Sequence, residues 1–325
     1  MKNALLLLSL LMMTACNDSS TGGGSANTTF TPSCVTAQCR SKQRILEIPG
    51  AENVFFTDGG RLFVTGNANI YEVVKESGEF RALPRSVGTA GGSGFGGMAQ
   101  RGDTLYVNVF DDGGLWAARL TESPEFSLIH PLGLTMPNGL AAGPSGELYV
   151  VNGPLELGLT LPDPKVVRVQ FSVSDAMQVV EQSDWLSLTG YQPNGIASVG
   201  RSLFITASRL LPPALGVLLR VDIAADGSAG EPEELFQFTS IPDDLSVAGD
   251  ALLLSFFSEG AVALVSQDGD LLSRSEPLSF DSPSQLRLGR PPLFKPTDIL
   301  VSEKGLLIPN PLPYGNALSL YRLIP

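Results

Sequence analysis

Histidine, cysteine and charge are all scarce in this chain of 325 residues. A single histidine and three cysteines are too few for most His-ligated zinc sites and for zinc ribbons. Charged residues make up only 17 %, and the net charge of −12 comes without any basic block, so we expect no nucleic-acid partner. Beyond the first 16 residues, no apolar run has the length of a membrane-spanning helix.

Glycine and proline, by contrast, are abundant. The 35 Gly and 24 Pro form about 18 % of the chain, against an average near 12 %. A hydrophobic fraction of 43 % excludes a disordered chain. Many turn-forming residues with little charge indicate an all-β protein of short strands joined by tight turns.

The N-terminus has the pattern of a secretory signal. Lys2 provides a positive start, residues 4–13 are apolar, and Met13-Thr14-Ala15-Cys16 places small residues before a cysteine. This pattern resembles a bacterial lipoprotein signal, which implies cleavage after residue 15 and a lipid on Cys16. The alternative is ordinary secretion with an incidental cysteine. We expect an extracytoplasmic protein anchored by its lipid to a bacterial membrane, in the periplasm or at the cell surface.

Residues 16–33 are rich in Gly, Ser, Thr and Asn, which predicts a flexible tether between the anchor and a folded domain. Cys34 and Cys39 follow directly. In an oxidising compartment two cysteines five residues apart favour a disulfide, with two free thiols as the alternative.

A repeated unit fills residues 34–325. Each copy contains a strand of the form x-Leu followed by apolar residues, and the six copies lie at 61–64, 104–107, 147–150, 202–205, 251–254 and 305–308. A third strand follows in each unit and a weaker fourth in most. Four strands at a period of 40 to 55 residues are typical of propeller blades. We therefore predict a six-bladed β-propeller, with residues 44–48 supplying the missing outer strand of the last blade.

The repeats share an equivalent position that is polar in most of them. Nine or ten residues before each repeated Leu stand Glu52, Gly96, Asn138, Asn194, Asp243 and Thr297. Asp244 and Asp298 follow two of them. The innermost strand of each propeller blade begins near the central channel, so we expect these residues to converge at the axis.

Oxygen ligands from several blades point to a hard cation such as Ca²⁺. The predicted ligands are Glu52, Asn138, Asn194, Asp243 and Asp244. The alternative is that the Asn-Gly and Asp-Asp pairs are ordinary turn residues.

These residues resemble the six-bladed calcium-dependent hydrolases, which include paraoxonase/arylesterase, gluconolactonase/senescence-marker protein, squid-type diisopropylfluorophosphatase and strictosidine synthase-like proteins. Glu52 resembles the first-blade Glu ligand of that superfamily, and Asn138 and Asn194, each in a Pro-Asn-Gly step, resemble its Asn ligands. Asp243-Asp244-Leu-Ser-Val resembles Asp-Asn-Ile-Ser-Val of paraoxonases. The resemblance implies that Asp243, or failing that Asp244, is the catalytic carboxylate.

The second and third blades depart from the superfamily pattern. Gly96 stands where related enzymes carry a catalytic His or a ligand Asn, and Gly139 replaces an Asp that holds a second calcium ion. His130, on a predicted fourth strand, is interpreted as a structural residue. We expect one axial Ca²⁺ and a monomer that hydrolyses a small lactone, ester or phosphoester. The alternative is a non-catalytic binding or scaffold propeller with a structural ion.

Overall fold

The computed structural model describes residues 30–67, 69–85, 94–110, 112–153, 163–209, 216–305 and 314–324. The predicted signal peptide 1–15, the lipidation site Cys16 and the tether as far as residue 29 lie outside the described residues. Among the residues described, no helix has the length and hydrophobicity needed to cross a membrane.

The described residues form 24 strands in six antiparallel four-stranded sheets. Blade one contains β2 (Val54–Phe56), β3 (Leu62–Thr65), β4 (Ile70–Glu76) and β5 (Glu79–Pro84). Blade two contains β6 (Phe95–Arg101), β7 (Thr104–Val109), β8 (Gly114–Arg119) and β9 (Ser127–Pro131). Blade three contains β10 (Pro137–Ala142), β11 (Leu148–Asn152), β12 (Lys165–Phe171) and β13 (Val179–Ser187).

Blades four and five repeat this order. Blade four contains β14 (Tyr191–Val199), β15 (Ser202–Arg209), β16 (Gly216–Asp222) and β17 (Glu233–Phe238). Blade five contains β18 (Pro242–Ala248), β19 (Ala251–Phe256), β20 (Ala261–Ser266) and β21 (Leu271–Arg274). The predicted six-bladed β-propeller is confirmed.

The N-terminal strand closes the ring, as predicted. Blade six contains β22 (Pro283–Leu288), β23 (Ile299–Glu303) and β24 (Ala317–Leu323), and its outer strand is β1 (Arg40–Glu47). The strand order is β1-β24-β23-β22, with β1 antiparallel to β24. Because β1 precedes the first blade and pairs with the last strand of the sixth, the two parts of the chain close the ring.

The segment before β1 packs against the last two blades. Cys34 and Cys39 form the predicted disulfide. Arg40 is buried, and its guanidinium donates to the carbonyl oxygens of Cys34 and Tyr321 at 2.8 and 3.0 Å. Thr31 Oγ1 accepts from the Asp250 N–H at 2.9 Å, so the end of the segment predicted as a tether already contacts blade five.

The core consists of six apolar clusters, one between each pair of neighbouring blades. Between blades three and four, for example, Tyr149 and Val166 pack with Ile205 and Val217, all fully buried. Burying both faces of each sheet explains why the inner strands are apolar on both sides rather than alternating. It also explains the low content of charged residues.

Blade six departs from the predicted register. Its innermost strand begins at Pro283, so the residue equivalent to Glu52 is Ser284 and not Thr297. The β22–β23 connection spans residues 289–298, much longer than the connection in other blades, and a fixed offset from the second strand therefore fails. Thr297 and Asp298 lie at the opposite end of the blade, and Asp298 pairs with Arg322. The second strand is β23, whereas residues 306–308 of the predicted strand lie outside the described residues.

The inner strands of blades two to six carry a bulge near the axis. The register of the first strand pair shifts between a residue and the one three places on, as between Pro137 and Leu140 or between Pro193 and Ile196. We call the first residue inside this shift the axial position, and Glu52, two residues before β2, takes the equivalent place in blade one. The six axial residues are Glu52, Gly96, Asn138, Asn194, Asp243 and Ser284. β-bulges commonly re-aim side chains towards a functional site.

In four blades a buried hydroxyl on the second strand fixes the backbone at the axial position. Thr65 Oγ1 accepts from the Asn53 N–H at 2.9 Å and donates to the carbonyl of Gly96, in the next blade, at 3.2 Å. The same pair of hydrogen bonds, one accepted from an N–H and one donated to a carbonyl, is made by Thr206 (Gly195 N–H, Asp243 carbonyl), Ser255 (Asp244 N–H, Ser284 carbonyl) and Ser302 (Gln285 N–H, Glu52 carbonyl). In blade two the Asn108 amide donates to the Asn138 carbonyl at 2.8 Å, and in blade three the position is Val151. Each hydroxyl thus fixes the backbone at the axial position of its own blade and the main-chain carbonyl of the axial residue in the next blade.

We expect the hydroxyl of Thr65 to contribute measurably to the stability of the ring. Thr65→Val keeps the shape of the side chain but leaves the Asn53 N–H and the Gly96 carbonyl without their buried partner. The free energy of unfolding should fall by about 1–3 kcal/mol in denaturant titration. Thr65→Ser, the matched control, keeps the hydroxyl and should cost about 1 kcal/mol or less. Equal losses in both variants would show that packing, not the hydrogen bonds, matters here.

Candidate metal centre

Four axial residues form one hydrogen-bonded cluster. Ser284 Oγ lies 3.0 Å from Glu52 Oε1 and 2.8 Å from Asp243 Oδ2. The Asn194 amide nitrogen donates to Asp243 Oδ1 at 2.7 Å. Blades one, four, five and six therefore each send a buried side chain to the same point, as the sequence predicted for Glu52, Asn194 and Asp243. We call these residues, with Ser284, the axial cluster.

Two ionised carboxylates without a compensating charge are unfavourable in this buried cluster. Burial, reinforced by the charge of Glu52, raises the pKa of Asp243 well above its usual range, whereas Lys304 and Ser284 oppose that shift. The hydroxyl of Ser284 has one hydrogen and faces an oxygen of each carboxylate. Both contacts are hydrogen bonds when Asp243 is protonated and donates to Ser284, which donates to Glu52.

A lysine also reaches this cluster. Lys304 follows β23, and its Nζ forms an ion pair with Glu52 Oε2. Burial on its own would lower the pKa of Lys304, but Glu52 and Asp243 raise it overall, so the ammonium is the charged form at neutral pH. The cluster therefore contains two carboxyl groups, one amide, one hydroxyl and one ammonium.

The donor set fits a hard cation. The Asn194 carbonyl oxygen is buried and has no hydrogen-bond donor, which is costly unless a cation or water is its partner. It belongs to the amide that bonds to Asp243. Across the described part of the chain, no three Asp, Glu, His or Cys residues gather at one metal position. A metal ion here would use two carboxylates, Glu52 and Asp243, together with the Asn194 amide.

Two of the predicted metal ligands lie outside this set of contacts. Asn138 is buried at its axial position, where its main-chain carbonyl accepts from Asn108, but its side chain makes no hydrogen bond to the axial cluster. Asp244 points differently from Asp243. Its Oδ2 accepts from Gln285 Nε2 at 2.7 Å and its Oδ1 from the Leu245 N–H at 2.6 Å. Asn138 and Asp244 as ligands stay predictions, and the geometry does not favour Asp244.

Asp244 has its own environment beside the axial cluster. Burial raises its pKa to about 7, against the opposing effects of the Leu245 N–H and of the Arg287 guanidinium. Arg287 in turn donates to the Val54 carbonyl at 3.1 Å. A Cβ on Gly195 would lie 2.2 Å from Asp244 Oδ1, so only glycine allows blade four to approach this carboxyl group so closely. Asp244 therefore joins neighbouring blades.

Ser284 and Lys304 were not found from the sequence. The string Pro283-Ser284-Gln285-Leu286 repeats the Pro-x-x-Leu pattern of Pro242-Asp243-Asp244-Leu245, and this pattern could have identified Ser284. No repeat pattern marks Lys304, because its role depends on the path of the chain after β23. His130 lies on the outer strand β9, as predicted, and contacts Gln182 Oε1 at 2.8 Å; its structural role stays a prediction.

Comparison with known proteins shows the fold and leaves the family open. No protein-family model and no curated protein sequence matches the chain. Among solved structures, the chain is similar to the calcium-binding protein regucalcin from Agrobacterium tumefaciens strain C58, with a TM-score of 0.64 and 15 % identity over 87 % of this chain and 94 % of that one.

Two further structures are similar over the same region. The luciferin-regenerating enzyme has a TM-score of 0.62 and 13 % identity, covering 87 % of this chain and 95 % of that one. Streptogramin B lyase has a TM-score of 0.56 and 10 % identity, covering 89 % and 100 %. At such identities the likeness confirms the propeller architecture expected from the resemblance and assigns no activity.

We expect Asp243→Asn to stabilise the metal-free protein. The substitution keeps the shape of the side chain and removes a buried group whose charged form is disfavoured beside Glu52. In EDTA at pH 8 the melting temperature should rise, on the order of 2–4 °C for each kcal/mol gained. The exposed residue Asp268 provides the control, because Asp268→Asn changes the net charge equally and should leave the melting temperature unchanged. A lower melting temperature for Asp243→Asn would contradict this account of the cluster.

Proposed function

We propose that the axial cluster binds a calcium ion through Glu52, Asn194 and Asp243, and that the protein uses this site to hydrolyse a small lactone, ester or phosphoester. One observation carries the proposal. Three oxygen-bearing side chains from three different blades meet at the axis, and one of their oxygens, Oδ1 of Asn194, is buried without a donor.

The chemistry of the donors selects the metal. Ca²⁺ takes six to eight oxygen ligands, and Glu52, Asp243 and Asn194 offer carboxylate and amide oxygens without any nitrogen or sulfur ligand. Two carboxylates balance the charge of a divalent ion. The similarity in fold to a calcium-binding protein supports the same choice. Bound calcium would act as a Lewis acid on a carbonyl or phosphoryl oxygen of the substrate.

Asp243 is the best candidate for the reacting carboxylate. It lies at the centre of the cluster, where Asn194 and Ser284 fix its two oxygens at 2.7 and 2.8 Å. A carboxylate held this way is positioned to accept a proton from a water molecule as that water attacks the substrate, or to attack the substrate itself. Asp244 is a weaker candidate, because its oxygens accept from Gln285 and the Leu245 N–H rather than from residues of the axial cluster.

A non-catalytic binding propeller is the second candidate. Gly96 provides no side chain at the axial position of blade two, and His130, the single histidine, lies on an outer strand. Asp243 would then be the only acid–base group offered by the axial positions besides Glu52. Under this alternative the calcium ion would join three blades without turning over a substrate.

We further propose that the protein lies outside the cytoplasm, held to a bacterial membrane by a lipid on Cys16. Two observations support this location. Residues 13–16 have the lipoprotein-signal pattern, and the Cys34–Cys39 disulfide is of a kind that persists mainly in oxidising compartments. The substrate would accordingly be a small molecule met outside the cytoplasm, and we expect the protein to act as a monomer.

Chelation is the direct test of the enzymatic proposal. The purified protein should hydrolyse at least one member of a panel of lactones, aryl esters and organophosphates in Ca²⁺. Activity should fall at least about 100-fold in EDTA and in Asp243→Asn, because both remove groups from the reacting centre. Asp268→Asn is the matched control and should keep full activity.

The melting temperature separates the two candidate functions. A calcium-dependent rise without turnover on any substrate would favour the binding propeller. If calcium changed neither melting nor activity, the metal site itself would be refuted.

Cys16→Ser tests the anchor separately. Without the acceptor thiol the chain cannot receive the lipid, and the protein should move from the membrane fraction to the soluble fraction of the producing cell. Cys34→Ser leaves Cys16 in place and is the control for the loss of a thiol. An unchanged membrane association of Cys16→Ser would rule out lipidation at this residue.

A further inference from the structure

Lys304 places a permanent positive charge inside the proposed metal site. Its Nζ forms an ion pair with Glu52 Oε2, and its side chain is only 16 % exposed. The axial carboxyl groups facing it are Glu52 and Asp243, both of which stabilise its charged form. The axial cluster thus already contains a cation that belongs to the chain.

A calcium ion and this ammonium would use the same carboxylate. The proposed metal site needs Glu52, since Glu52 and Asp243 are the two carboxyl groups of the axial cluster. Two cations placed on one buried carboxylate repel each other strongly, because little solvent screens them. Moving Lys304 away from Glu52 relieves this repulsion when a divalent ion binds there.

The ammonium has a second favourable contact besides Glu52. Lys304 Nζ lies 6.0 Å from the ring centroid of Phe110, within the range of a cation–π contact. Phe110 follows β7 as Lys304 follows β23, so both residues lie at the same end of the propeller. The ring therefore offers the ammonium a partner that does not compete with the metal ion.

We propose that Lys304 is an internal competitor of the metal ion: its ammonium neutralises Glu52 in the metal-free protein and has to be displaced before calcium binds. The inference rests on the metal site of the proposed function. Lys304 sets the calcium affinity of that site, so that the site fills only when external calcium is high enough to displace the lysine. It also keeps the metal-free cluster folded by compensating a buried carboxylate.

Calcium titration of Lys304→Met tests this competition without any substrate. Methionine keeps the length of the side chain and removes its charge. The protein is stripped with EDTA, dialysed and titrated with CaCl₂ by calorimetry, and melting temperatures are recorded at each calcium concentration. We expect a calcium Kd lower than that of the unchanged protein by about tenfold or more. Without calcium the variant should melt below the unchanged protein, and calcium should raise its melting temperature by a larger increment.

Lys42 provides a matched control. Its Nζ pairs with Glu303 Oε2 at 3.0 Å, away from the axial cluster, so Lys42→Met also breaks one lysine–glutamate ion pair and should leave the calcium Kd unchanged. Should Lys304→Met fail to fold, Lys304→Gln removes the charge with a polar side chain and should show the same increase in affinity.

The outcomes distinguish this inference from the proposed function. Equal calcium affinities for the unchanged protein and the Lys304 variants would overturn the competition and leave the metal site standing. Calcium binding only in the Lys304 variants would support the competition and refute a calcium-dependent function of the unchanged protein. Calcium binding by neither would overturn both.

Discussion

The hydroxyl that in four blades bridges the inner strand to the next blade is the interaction on which the axis depends. Thr65, Thr206, Ser255 and Ser302 each accept an N–H from their own bulge and donate to the axial carbonyl of the neighbouring blade. Without such a partner the bulge would leave a buried N–H and a buried carbonyl unsatisfied. One small side chain therefore permits the bulge, orients the axial residue and couples adjacent blades.

The axial cluster places polar groups where hydrophobic side chains would be more stabilising. A buried carboxyl pair such as Glu52 and Asp243 costs free energy unless a proton, an ammonium or a metal ion compensates its charge. Ser284 and Lys304 supply compensation from within the chain. Buried ionisable clusters of this kind commonly serve function rather than stability. This consideration supports the axis as the place of the proposed function, rather than the blade interfaces, which are apolar.

The repeat predicts most of the architecture because blade formation depends on local patterns. Six buried second strands, five of them with Leu at the same place, favour six sheets packed face to face, and the N-terminal strand completes the sheet that lacks an outer strand. The same regularity misleads in blade six, where the long 289–298 connection shifts the axial position from Thr297 to Ser284. Counting a fixed number of residues back from the second strand finds the axial position only in blades whose first and second strands are joined by turns of similar length.

The amino-acid sequence alone predicted the number of blades, the closing strand and the polar residues at four of the axial positions, and it favoured the disulfide between Cys34 and Cys39. Each of these follows from residue type and spacing along the chain. Only the tertiary structure decided which polar side chains meet. Asp243 and Asp244 are neighbours in sequence, yet the first bonds to Asn194 and Ser284 and the second to Gln285. Lys304 reaches Glu52 across 252 positions of sequence. Such contacts depend on bulge geometry and ring closure, which bring distant segments together and leave no periodic trace in the sequence.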